Sequence, residues 1–99
     1  MAISVQVRTF TGTTETTCTH PAVAAVCSRA ANEKLPLLGL IDPYDDTVFN
    51  CSQLRALIPE LRALANDSAA DEAEAVRGIL ALTAQVERQP HRYLVFNGD

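Results

Sequence analysis

The sequence predicts one α+β domain over residues 1–99, with a small sheet of two or three strands covered on one face by three helices. Two observations carry this prediction. Strand-like apolar patterns stand near both ends of the chain, and three segments between them repeat apolar residues at helical spacing. A chain of 99 residues that is 47% hydrophobic can bury one modest core. Because amphipathic helices need an apolar surface to cover, two layers are the economical arrangement.

The strands are predicted mainly at the two ends of the chain. Apolar and polar residues alternate from Ile3 to Phe10, and a short apolar run extends from Tyr93 to Phe96. We expect these two strands to pair, since a lone strand leaves its backbone groups without partners. Thr47 to Phe49 is a candidate third strand. The threonine-rich segment from Thr11 to Thr19 is predicted as an exposed loop or a ragged strand extension.

The first helix is predicted to begin at Pro21, since proline suits the first helical position. The segment from Leu35 to Ile41 is apolar but contains proline and glycine, which predicts a buried connector. The second helix is predicted to begin at Asn50 as its N-cap, with Gln53 as the capping-box partner, and Pro59 inside it predicts a kink or a break.

The third helix is predicted to start at Ser68 with Asp71 as its capping partner, and Pro90 ends it. Each helix has an apolar stripe at helical spacing. The predicted stripes are Val23, Val26, Cys27 and Ala30 in the first helix; Leu54, Leu57, Ile58, Leu61 and Leu64 in the second; and Val76, Ile79, Leu80, Thr83 and Val86 in the third.

Charge and cysteine content restrict the classes of partner. The formal net charge is −4 and the eight basic residues are scattered, whereas nucleic-acid binders usually carry a basic stripe. We therefore expect no nucleic-acid partner. From the sequence we expect no signal peptide and no membrane-spanning segment, since Met1 to Phe10 lack a basic start followed by an apolar core and Leu35 to Ile41 is too short to cross a membrane. Three cysteines are an odd number, which argues against a disulfide framework and favours reduced thiols in the cytoplasm.

The segment Asp42-Pro43-Tyr44-Asp45-Asp46 has the most distinctive chemistry in the sequence. One interpretation is a turn whose aspartates bond their own backbone. A second is a recognition loop, in which Tyr44 is an anchor and the aspartates capture basic groups of a partner, with Glu72 and Glu74 as a second acidic patch. A third is a Ca²⁺ or Mg²⁺ site, although the spacing does not match an EF-hand.

The cysteines and histidines suggest two weaker alternatives. Cys18 and His20 could share a zinc ion with Cys27, Cys51 or His91, but paired ligands such as C-x2-C are absent from the sequence. Cys51 stands at a predicted helix N-terminus, which favours a thiolate, and His20 or His91 could act as its base. Since no phosphate-binding loop or hydrolase motif occurs either, we predict no metal, no cofactor and no catalytic residue.

Two segments carry a resemblance to known sequences. Asp-Pro-Tyr-Asp-Asp-Thr-Val-Phe-Asn at 42–50 leads into a leucine-patterned helix, and the chain closes with Tyr-Leu-Val-Phe-Asn-Gly-Asp at 93–99. Together they resemble a group of small uncharacterised bacterial proteins. The resemblance implies a bacterial source and brings no activity, cofactor or site residue with it.

The sequence therefore predicts a non-enzymatic cytoplasmic protein-binding module, such as an immunity or antitoxin-type inhibitor that occludes a basic cleft on its protein partner. Its predicted contact residues are Asp42, Tyr44, Asp45, Asp46, Glu72 and Glu74. A small metal-dependent or cysteine-dependent enzyme is one alternative. A self-associating structural subunit is another, and it depends on the apolar strand from Tyr93 to Phe96 being exposed and pairing between chains to form a homo-oligomer.

Overall fold

The computed structural model describes residues 2–66 and 68–98. Within them the chain forms four strands, three α-helices and one short 3₁₀ helix. In chain order the elements are β1 (Ile3–Thr9), β2 (Thr14–Cys18), α1 (Val23–Asn32), the 3₁₀ helix (Leu38–Leu40), β3 (Asp46–Phe49), α2 (Cys51–Asn66), α3 (Ala70–Arg88) and β4 (Arg92–Gly98). No helix in the described ranges is both long and apolar enough to cross a membrane.

The strands form one antiparallel sheet in the order β2-β1-β4-β3. The predicted pairing of the first and last strands is confirmed, with Val5 opposite Phe96 at the centre of the sheet. The sheet has four strands rather than two or three, because the threonine-rich segment turns back on β1 as β2. Gly12 makes that hairpin with a φ of 95°, a conformation that glycine adopts without steric cost.

The hydrophobic core lies between the sheet and the three helices. Phe49 and Phe96 meet edge to face within it, with ring centroids 5.8 Å apart. The predicted helical stripes are confirmed, except that Ile58 and Leu80 are only partly buried. The predicted α+β class is therefore confirmed, and three helices cover the sheet as expected from their apolar faces.

The helix boundaries follow hydrogen bonds that the sequence signals identified only in part. The capping box at the start of α2 is confirmed: the Gln53 N–H donates to Asn50 Oδ1 at 2.9 Å, and the Asn50 N–H donates to Gln53 Oε1 at 2.8 Å. Helix α2 runs through Pro59 without a break. Helix α1 begins at Val23 rather than Pro21, because His20 Nδ1 accepts the Ala22 N–H in a preceding turn.

The predicted start of α3 at Ser68 is wrong. The N-cap position is Ala69, and no side chain caps it. The Ser68 hydroxyl instead donates to the carbonyl of Leu64 and accepts a hydrogen bond from Arg29 Nη1 at 2.7 Å. Ser68 therefore closes the end of α2 onto α1, which is a tertiary role that a local capping pattern does not reveal.

The connector between α1 and the Asp42–Asp46 segment is held from both sides. Lys34 adopts a φ of 57° where α1 ends, and the Leu35 N–H donates back to the Ala30 carbonyl at 3.1 Å. The Glu60 carboxylate of α2 accepts the backbone N–H groups of Leu37 and Leu38. The connector is buried in part, as at Leu38 and Ile41, while Leu40 is 69% exposed.

Candidate functional site

The segment Asp42–Asp46, called the acidic loop below, is shaped by hydrogen bonds to its own backbone. Asp42 Oδ1 accepts the Tyr44 N–H, and Asp45 Oδ1 accepts the Asp46 N–H, both at 2.8 Å. The Asp42 N–H donates to Thr47 Oγ1 at 3.0 Å. These bonds are those of the turn interpretation, and they give the loop a defined conformation before any partner arrives.

The acidic loop rests directly on the end of β4. The Gly98 N–H donates to the Asp45 carbonyl at 3.1 Å. A Cβ atom at position 98 would lie 2.5 Å from the Asp42 carbonyl oxygen and 2.6 Å from that of Asp45. Only glycine permits this approach, so Gly98 is a positioning residue of the site. The sequence showed Asn97-Gly98 merely as the end of a strand.

Asp46 differs from the other two aspartates because it forms an ion pair across the sheet. Its Oδ2 accepts a hydrogen bond from Arg8 Nη1 at 2.9 Å, and Arg8 Nε donates to Gln6 Oε1 at 2.7 Å. The Arg8 side chain is only 23% exposed. Arg8 thereby links β1 to β3 over the face of the sheet opposite the helices, and Asp46 is engaged within the fold.

Tyr44 projects from the acidic loop with 73% of its surface exposed. Asp42 and Asp45, which flank it with Pro43, are exposed as well. The loop therefore presents an aromatic side chain between two carboxylates, on a backbone fixed by its own hydrogen bonds. This arrangement retains the chemistry of a recognition loop alongside that of a turn.

Glu72 and Glu74 lie on a different element, in the first turns of α3. Glu72 Oε1 is 3.6 Å from Arg29 Nη1, and the Glu72 side chain is 24% exposed. Glu74 Oε1 is 3.8 Å from His20 Nε2, and its side chain is 66% exposed. The two glutamates face cationic or potentially cationic groups of α1 and its entry turn, so they join two helices rather than extend the acidic loop.

The three cysteines occupy different environments. Cys27 is buried in the core, and loss of solvation raises the pKa of its thiol from 9.0 to about 12. Cys51 is exposed at the start of α2, where it lines a groove of about 260 Å³ with His91. Of the two thiol–histidine pairs considered above, Cys51 with His91 therefore lines one groove. His20 bonds the entry turn of α1 and faces Glu74.

The remaining alternatives can be compared with the fold. Among residues 2–66 and 68–98, no three His, Cys, Asp or Glu side chains are grouped so that they could hold a metal ion. The strand from Tyr93 to Phe96 lies between β1 and β3 and pairs with both. Its backbone is not free to pair with another chain, so the condition for self-association through this strand is not met.

Comparison of the chain with protein-family models, curated proteins and solved structures found no match.

Proposed function

We propose that the protein is a cytoplasmic protein-binding module that docks its acidic loop against a basic surface of a protein partner. The observation that carries the proposal is Tyr44, which is 73% exposed at the centre of a loop held by its own hydrogen bonds. A large aromatic side chain supplies much binding energy when a partner buries it. Because the loop is already ordered, little conformational entropy is lost on binding.

The internal hydrogen bonds leave Asp42 and Asp45 able to bind a partner. Each contributes one carboxylate oxygen to its own turn, whereas a carboxylate offers about four acceptor sites on two oxygens. The net charge of −4 adds a long-range attraction for a basic partner. Asp46, already paired with Arg8, contributes charge and position at the base of the loop.

The mechanism proposed is occlusion, in which the loop enters a basic cleft and covers the partner's functional groups. An inhibitor of the immunity or antitoxin type works in this way. Glu74 is exposed enough to add a second contact, whereas Glu72 contributes less because it is half-buried against Arg29.

A charge-neutral variant that preserves the loop tests this proposal. Asn supplies the same Oδ1 acceptor as Asp, so Asp42→Asn/Asp45→Asn keeps both turn bonds and removes two charges. The immobilised wild-type chain is expected to retain a specific protein from lysate of the source organism, and the double variant is expected to lose it near physiological salt.

The matched control is Asp71→Asn/Glu87→Gln, which removes two exposed charges from α3 and keeps the Asp71 Oδ1 acceptor for the Glu72 N–H. This control should retain the partner. Equal retention by both double variants would remove the acidic loop from the mechanism, and no specific retention by the wild-type chain would overturn the proposed function.

A further inference from the structure

A small cleft opens between α1 and the segment that leads into the acidic loop. Its volume is about 180 Å³. One wall is a face of α1 at helical spacing, and the other is formed by the start of β1 and the residues around Asp42. The lining residues are Ile3, Ala24, Cys27, Ser28, Ala31, Ile41 and Pro43.

The size of the cleft limits what can occupy it. Sites for cofactors and drug-sized ligands measure roughly 300–1,000 Å³, whereas an apolar cavity of about 150 Å³ accepts a benzene ring. The cleft therefore fits one apolar side chain of leucine or phenylalanine size. It is open because α1 presents only small side chains on this face, namely Ala24, Cys27, Ser28 and Ala31.

The cleft has an apolar interior and lies beside the first residues of the acidic loop. The interior is formed largely by apolar groups, with Ile3 and Ile41 both less than a tenth exposed. Asp42 stands in the chain between two lining residues, Ile41 and Pro43, and is itself exposed. Tyr44 follows directly and is 73% exposed. An apolar recess thus lies next to the first residues of the acidic loop.

We infer, building on the proposed function, that this cleft receives one apolar side chain from a basic segment of the protein partner. A Lys or Arg next to that side chain in the partner then meets Asp42 and Asp45. Charge complementarity selects this occupant, because a cationic segment gains from the acidic edge. A second copy of the chain carries the same net charge of −4 and is repelled as it approaches.

The test uses benzylammonium, which joins an aromatic ring of suitable size to a cation, and benzoate as its anionic counterpart. Binding is followed by amide chemical shifts during titration. We expect saturable shifts at Ala24, Ser28, Ala31, Ile41 and Asp42, with a roughly millimolar dissociation constant for a molecule of this size. Benzoate should bind at least about five-fold more weakly, because the acidic edge repels it.

Two variants of the same helix show whether the cleft is the binding site. Ala31→Leu places a larger side chain in the cleft and should abolish the shifts. Ala25→Leu makes the same change at an exposed position of α1 outside the lining and should leave them unchanged. Asp42→Asn/Asp45→Asn should bring the dissociation constants of benzylammonium and benzoate to within about two-fold of each other.

Three results would overturn the inference: shifts that persist in Ala31→Leu, benzoate binding as tightly as benzylammonium, or concentration-dependent shifts of the cleft amides without any probe. The last would identify a second copy of the chain as the occupant. The titration needs no partner protein, so it is independent of the lysate experiment. A fourth result, failure of benzylammonium to bind, would also overturn the inference, while the role of the acidic loop would still be decided by the lysate experiment. Probe binding without any captured protein would refute the proposed function, and with it a protein partner as the occupant, but would leave the cleft as a binding site for an apolar cation.

Discussion

The sequence alone predicts two acidic patches as partner contacts, the acidic loop and the pair Glu72 and Glu74. In the fold these two patches have different surroundings. In the acidic loop, Asp42 and Asp45 bond their own backbone, and the loop exposes Tyr44. At the start of α3, Glu72 and Glu74 instead face Arg29 and His20. Local bonding keeps a loop in shape and leaves its surface available. The ion pairs of Glu72 and Glu74 instead connect α3 to α1 and its entry turn, so these carboxylates are less available to a partner.

The largest effect is expected from a substitution at Gly98, on which the acidic loop packs. In Gly98→Ala the new methyl group would overlap two loop carbonyls at 2.5 and 2.6 Å, so the loop must shift or the strand end must move. We expect a loss of about 2–3 kcal/mol in the free energy of unfolding in urea, as for overpacking elsewhere. Amide shifts should change throughout the acidic loop.

Gly12→Ala is the matched control for Gly98→Ala. A Cβ atom at Gly12 meets no atom within 4 Å, and only its φ of 95° strains the backbone. The expected cost is about 1 kcal/mol, with unchanged acidic-loop shifts. Equal shift changes in the acidic loop for both variants would show that the loop does not depend on close approach at Gly98.

A smaller effect is expected from breaking the helix-joining patch. Arg29 donates to Ser68 and Glu33 and lies 3.6 Å from Glu72 Oε1, a buried atom that forms no hydrogen bond with residues 2–66 or 68–98. Arg29→Ala should cost about 1–2 kcal/mol in urea unfolding, because the part-buried Ser68 hydroxyl loses a hydrogen-bond donor and the Glu72 carboxylate loses the cation beside it. Arg8→Ala, which frees Asp46, should cost less than about 1 kcal/mol, since the Asp46 side chain is 37% exposed and water can replace the guanidinium as its partner. The reverse order would contradict the division of roles between the two patches.

The thiols provide a check on the cleft beside the acidic loop. The pKa of Cys27 is raised to about 12, so its thiol stays protonated in the folded protein at ordinary pH. The stability that this group contributes is complete below its unfolded pKa of 9.0 and is lost as the pH rises through about 12. The wild type should therefore lose stability over that range relative to Cys27→Ala.

With iodoacetamide near neutral pH, Cys51 should react at least about 100-fold faster than Cys27, and comparable rates would show that the core is open at α1.

The smallest stability effect is expected from neutralising the acidic loop. Asp42→Asn/Asp45→Asn keeps the oxygen acceptors, so its urea midpoint should stay within about 0.5 kcal/mol of the wild type. Asp42→Ala/Asp45→Ala removes the acceptors and should cost about 1–2 kcal/mol. If the Asn variant were as unstable as the Ala variant, the charges themselves would be structural and the recognition role would be weakened.

Elements and bonds that depend on nearby residues were predictable from the sequence. The capping box of Asn50 and Gln53 and the stripe of α1 follow from spacings of a few residues, and the aspartate turn was one of the stated interpretations. Strand β2 carries no apolar alternation that would predict it. It is held by pairing with β1 and by a hydrogen bond between Thr16 and Gln85, which are 69 residues apart. Its threonines therefore did not indicate a strand unambiguously.

Long-range contacts explain what the sequence could not show at the site. Arg8 and Asp46 are 38 residues apart, and the contact between Gly98 and the acidic loop depends on the register of β3 and β4. The acidic loop and the end of β4 also meet there, since β3 pairs with β4 and Gly98 bonds Asp45. No local pattern shows that one segment holds the other.

We propose that Tyr44 binds a partner because of its place in the acidic loop. Phe10 is the matched comparison, since it is equally exposed at 73% but lies at the tip of the β1–β2 hairpin. The decisive measurement is the dissociation constant of the captured partner for wild type, Tyr44→Ala and Phe10→Ala. We expect Tyr44→Ala to weaken binding about 30-fold, as at a hot spot, and Phe10→Ala to leave it within about two-fold. Equal weakening by both variants, or none by Tyr44→Ala, would contradict the proposed role of Tyr44.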